Sequence, residues 1–132
     1  MPVNARRRLT LLFVAILLPA CNGGTVDRHA LENDSKAIDS LACEGALLAN
    51  QVEHGATTGP FTRVHAGERE TRASNFDDAL SERPTTPGIE RAVRGEAARA
   101  GRIAGLLREL GAADPVGAVR LESRLQHEGS CA

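Results

Sequence analysis

The chain has 132 residues, 42% of them hydrophobic, with 16 basic and 17 acidic side chains and a net charge of −1. That length suits one small domain, and the ordinary apolar content favours a folded chain over a disordered one. Its only aromatic residues are three Phe, too few for the stacking platforms of single-stranded nucleic acid or sugar sites, and the balanced charge argues against any nucleic-acid partner.

The chain opens MPVNARRRLTLLFVAILLPAC. Arg6, Arg7 and Arg8 make a positive start that anionic cytoplasmic lipid retains on the inner side. Leu9 to Leu18 is apolar except for Thr10. Such a run is short of the roughly 20 apolar residues that cross a bilayer. It reads as a signal peptide over residues 1–20. An ordinary secretory site wants small residues one and three positions before the cut, and Leu18 stands at the outer of these.

Leu18-Pro19-Ala20-Cys21 resembles the lipobox of bacterial lipoproteins: Leu, a small residue, Ala or Gly, then Cys. Pro19 replaces the small residue at its position. The resemblance implies cleavage after Ala20 and acylation of Cys21 with diacylglycerol and fatty chains such as palmitate. Several chains hold a protein firmly, each buried methylene contributing about 0.8 kcal/mol. The expected location is the extracytoplasmic face of a bacterial cell membrane. Asn22 after the cysteine resembles the outer-membrane sorting pattern of bacteria with two membranes. A plain secreted protein with a free Cys21 is the other reading.

Three cysteines leave one thiol to explain in an exported protein. If Cys21 carries lipid, Cys43 and Cys131 remain as a pair in an oxidising compartment. A bridge between them closes a loop of about 90 residues, contributing on the order of 4 kcal/mol in the chain-entropy model. Without the signal arginines, seventeen acids face thirteen bases, so the mature chain sits near −4. Acids lead (Asp27, Glu32, Asp34, Asp39, Glu44, Glu53) and arginines follow (Arg91, Arg94, Arg99, Arg102, Arg108), which reads as complementary packing of two helices.

Residues 21–26 read as a lipidated tether and 27–132 as one domain. Three breaker-rich joints divide that domain: Gly55 to Pro60, Pro84 to Pro87, and Gly111 to Pro115. The first helix is predicted from about Asp27 to His54, with Leu31, Ile38, Leu41, Gly45, Leu48 and Val52 on one face. The second, about Phe61 to Arg83, carries a weaker stripe of Ala66, Ala73, Phe76 and Leu80, interrupted by Arg69, and Glu82-Arg83 read as a solvated end. The third takes Thr86 as cap, Pro87 as first residue and Gly111 as stop, burying Val93, Ala100, Ile103, Leu107 and Leu110. The fourth has Asp114 as cap, Pro115 at its start and Gly129 near its end, with Ala118, Leu121 and Leu125 inward. No period-2 strand appears. The expectation is an all-α fold, a small antiparallel up-down bundle of four helices.

Helical rise places Cys43 and Cys131 within about one turn of the same level. Cys43 lies about 200° from Leu41, away from the main stripe. Either the C-terminal tail crosses that outer face with Leu47 beneath it, or the bond joins two molecules; the intramolecular form is preferred.

Chemistry-bearing residues are few. His54, His65 and Glu68 converge at the first hairpin and offer a zinc-type ligand set, in reversed order to the Glu-x-x-His of ferritin-like bundles. His29 and Glu32 lie roughly 37 Å away along the first helix. No nucleophile elbow, phosphate loop or Cys-x-x-Cys is present. The sequence therefore predicts a non-catalytic interaction or scaffold module, without cofactor, whose partners are the membrane through Cys21 and an envelope protein. A small metal-binding module using His54, His65 and Glu68 is one rival. A carrier of apolar ligand or lipid, opening a pocket in an Ala/Gly-rich core, is the other.

Overall fold

The computed structural model describes residues 24–131. The signal segment, Cys21 and Asn22 lie outside the described residues. Four helices follow in order: α1 (Arg28–Glu53), α2 (Gly59–Glu82), α3 (Glu90–Leu110) and α4 (Pro115–Gly129). No strand is present among the described residues.

Helices α1, α2 and α4 begin where a side chain takes up orphan backbone donors. The Asp27 carboxylate accepts from the Ala30 amide at 2.8 Å, and Asp114 accepts from Gly117 at 2.7 Å. Thr58 caps α2 through the Phe61 amide, so that helix starts two residues earlier than predicted, with Pro60 in its first turn. Gly55, at φ +65°, turns the chain after α1.

Helix α3 departs from the expected start. Its cap is Ile89, without a side-chain bond, and Thr86 and Pro87 lie outside it. The Val26 amide donates to the Pro84 carbonyl at 2.7 Å, and the Thr86 amide donates to the Val26 carbonyl at 3.0 Å. Thr86 is thereby held against the incoming chain rather than opening a helix. The chain then needs Gly88, at φ +98°, to turn into α3. The same contact corrects the tether boundary. Val26 is fully buried, so only Gly24 and Thr25 among the described tether residues are exposed.

Cross-helix contacts fix the topology. Asn50 meets Glu122, and Cys43 meets Cys131, so α1 and α4 run antiparallel. Glu70 meets Arg108, and Asp77 lies under Gly101, so α2 and α3 do likewise. Arg69 meets Glu44 and Arg83 meets Asp34, which sets α1 antiparallel to α2. The result is the up-down-up-down bundle. Its contacts are uneven: α2 packs extensively on α3 and α1 on α4, while α1 touches α2 sparingly.

The core joins the predicted stripes of α1, α3 and α4. Leu31 and Phe76 are only partly buried against it. Helix α1 also buries Ala42, Ala46 and Ala49, a second face made of small residues. Gly45 lets Leu107 and Leu125 approach its backbone so closely that a Cβ there would lie 2.7 Å from Leu107. On α2 the buried set is thin: Thr62, Ala66, Ala73 and Leu80.

Candidate interaction groove between helices 1 and 2

Small inward residues on α2 and long polar ones beside them leave the α1–α2 seam incompletely filled. Four surface concavities follow one another along it. The lowest, about 620 Å³, is lined by Asp34, Phe76 and Arg83 among others, and the next, about 480 Å³, by Glu44, His65, Glu68, Arg69 and Arg72. Above these, Leu47, Leu48, Gln51 and Phe61 border a hollow of about 240 Å³, and Gln51, Phe61 and Thr57 one of about 310 Å³.

The α1 wall is acidic and the α2 wall mixed, with Arg69 and Arg72 beside Glu68, Asp78 and Glu82. Acids on α1 face arginines on α2: Glu44 accepts from Arg69 Nε at 3.1 Å, and Asp34 lies 4.0 Å from Arg83. Arg83 also donates to the Gly24 carbonyl at 3.0 Å, so it is a half-buried clasp and not the solvated helix end that the sequence suggests. Near the hairpin end the groove turns apolar. Leu47 is 62% exposed and Phe61 48%, and both border one hollow.

The proposed ligand trio separates. The His65 ring packs on Phe61 with centroids 4.1 Å apart, and its Nδ1 lies 3.4 Å from Glu68. His54 turns back to its own helix, with Nδ1 2.9 Å from the Asn50 carbonyl. Only His65 and Glu68 are brought together. Among the described residues no group of three His, Cys, Asp or Glu side chains could hold a metal ion. Spacing placed His54 at the right level, but its ring folds back onto the Asn50 carbonyl, which also accepts from the His54 amide at 3.1 Å.

Cys43 and Cys131 of the same chain are bonded, with Cα atoms 5.5 Å apart. The tail does not lie over Leu47. Gly129 instead seats the end of α4 against α1, where a Cβ would be 2.8 Å from Ala42 and 2.9 Å from the Cys43 sulfur. Beside this contact stands Arg99. Its guanidinium donates to Asp39, to Glu96 at 2.6 Å, to the Glu128 carbonyl at 2.8 Å and to the Ser35 hydroxyl at 3.1 Å. Burial opposes the charge, but the bonds to Asp39 and Glu96 outweigh it and raise the Arg99 pKa. Arg102 grips Glu128 through two bonds of 2.8 and 3.0 Å, and holds that carboxyl below its ordinary pKa against the opposing effect of burial.

Thus the early acids and late arginines pair only in part. Arg99 reaches Asp39, whereas Arg102 and Arg108 bind Glu128 and Glu70. The Arg99 assembly ties α1, α3 and α4 at the level of the disulfide and is structural in character. The concavities are surface grooves with charged walls, not a pocket within the Ala/Gly core. Comparison with protein-family models, curated proteins and solved structures finds no match to this chain.

Proposed function

We propose that this chain is a non-catalytic interaction module of the bacterial envelope, anchored at the extracytoplasmic face of a membrane by acyl chains on Cys21. The observation that carries this reading is the division of its three cysteines. Cys43 and Cys131 are spent on each other within the bundle. The remaining cysteine is the one that ends Leu18-Pro19-Ala20-Cys21, behind three arginines and an apolar run. Two further observations support it. No helix among the described residues is long and apolar enough to cross a membrane, and several acyl chains are enough to hold a protein on one. The α1–α2 groove, with apolar and charged stretches, offers a surface for a helical partner.

Intact-mass spectrometry of protein extracted from membranes tests the anchor. The expected species begins at Cys21, carries acyl mass there, and gains mass on alkylation at Cys43 and Cys131 only after reduction. Cys21→Ser releases the protein from the membrane fraction. A chain that retains its leader in the cytosol, or a cleaved chain without acyl mass, overturns the proposal.

A further inference from the structure

We propose that two copies of this chain pair side by side through their α1–α2 faces, with their bundles parallel. The inference rests on reading this face as an interaction surface and names its occupant. A two-fold axis running along the seam brings α1 of each copy opposite α2 of the other, at equal height.

The face is self-complementary under that operation. Glu44 and Arg69 share one level, as do Asp34 and Arg83, because each pair already meets within the chain. The axis therefore sets Glu44 and Asp34 of one copy against Arg69 and Arg83 of the other, with Arg72 offsetting the α2 acids Glu68, Asp78 and Glu82 that line the same hollows. Leu47 and Phe61 share a level too, since they border one hollow. The axis sets Leu47 of each copy against Phe61 of the other and covers both.

Size and tethering agree with this arrangement. Helix α2 has 24 residues. Two such helices about 36 Å long, set 8–10 Å apart, present a face on the order of 700 Å² per copy, close to the share of a standard interface. Copies held by acyl chains in one membrane point the same way and are concentrated in its plane, which favours a parallel pair.

The test uses the full-length chain in membranes, co-expressed with two different affinity tags and carrying a benzophenone amino acid at position 61. The expected result is a photo-adduct of twice the chain mass that bears both tags. Leu47→Glu lowers adduct and co-purification at least tenfold. Val116→Glu, at an 81% exposed site on α4, leaves both unchanged. Glu44→Arg in both tagged copies weakens pairing, and replacing one of them by a copy that carries only Arg69→Glu restores it, which repair of the bond within a chain would not explain, since each copy then still lacks that bond. Adducts only to lipid or to another polypeptide, a wild type recovered as single copies, or pairing that survives Leu47→Glu overturn the inference. The acyl mass on Cys21, read from the same sample, separates the two proposals. Single copies that are acylated sink the pairing alone, and pairs without acyl mass sink the anchor alone.

Discussion

The two sides of α1 are built in opposite ways. Toward α4 and α3 its surface is closed, by a disulfide, a glycine contact and an arginine with four partners across the three helices. Toward α2 it is open, with two ion pairs across a groove and apolar side chains left in water. Both sides use arginine and carboxylate, yet the environments differ. The Arg99 side chain is 15% exposed and hydrogen-bonded around its whole guanidinium, whereas Arg69 is 23% exposed and bordered by surface hollows. Charge pairs of the first kind are destabilising to break, and pairs of the second kind contribute little. A rigid seam opposite an unfilled face is what a docking module requires, since a partner can be accommodated without disturbing the core.

The largest effect breaks the closed side at its covalent point. Cys43→Ser with Cys131→Ser frees a loop spanning 88 positions. The expected loss is about 4 kcal/mol in urea denaturation, and reduction of the wild type gives the same loss. Next comes Arg99→Met, which leaves Asp39 and Glu96 without their partner. A loss of about 3 kcal/mol is expected in oxidised protein, with retention of helical content. An effect below about 1 kcal/mol would equate Arg99 with a surface pair.

Gly129→Ala is the third. Its Cβ would meet the Ala42 methyl, the Cys43 sulfur and, at 3.0 Å, the Asp39 carbonyl. None of these is the free end of a flexible side chain, so α4 must lift from α1. The expected cost is about 2 kcal/mol. Because the clash is with α1 itself, most of the cost persists after reduction.

These residues also show what the sequence exposes and what it hides. Helix number, order and most boundaries were legible, because Asp27, Asp114, Pro60 and Pro115 act locally and the joints concentrate breakers. The start of α3 was not, since Thr86 is held by Val26, 60 positions away. The bonded cysteines were legible by parity, but the face that receives α4 was not. Helix α1 buries Ala42, Ala46 and Ala49 there, and small residues add little to a hydrophobic stripe. Gly129 was placed only near the end of the fourth helix, and nothing local showed that it lets α4 approach α1 so closely. The groove was hidden because it depends on how far α1 stands from α2, a tertiary quantity. Phe61 marks a helix start in the sequence, and nothing local says that its ring remains exposed.

A pH titration sharpens the closed side further. The Arg102 bonds lower the Glu128 pKa, so folding favours the carboxylate. That contribution is complete above the ordinary glutamate value of about 4.3 and is lost as pH falls through the lower folded value. Glu128→Gln should flatten the acid limb of a stability-against-pH curve and leave its slope above about pH 6 unchanged. The Arg99 pKa is raised from a value already far above this range and adds no slope.

The smallest effect belongs to the open side. Arg69→Ala removes the bond to Glu44 and the bond of 2.9 Å to the His65 carbonyl. Glu44 is 41% exposed and water can replace its partner. The expected loss is below about 1 kcal/mol, and it shrinks in high salt because the pair is screened. Arg99→Met should keep more of its cost at the same salt: Asp39 is as exposed as Glu44, but Glu96 is 24% exposed and Arg99 also loses its bonds to the Glu128 carbonyl and the Ser35 hydroxyl, which are not ion pairs. Equal salt dependence at the two arginines would mean that both sides of α1 are equally wet. The groove would then lose its standing as the separate, unfilled face on which a partner is received.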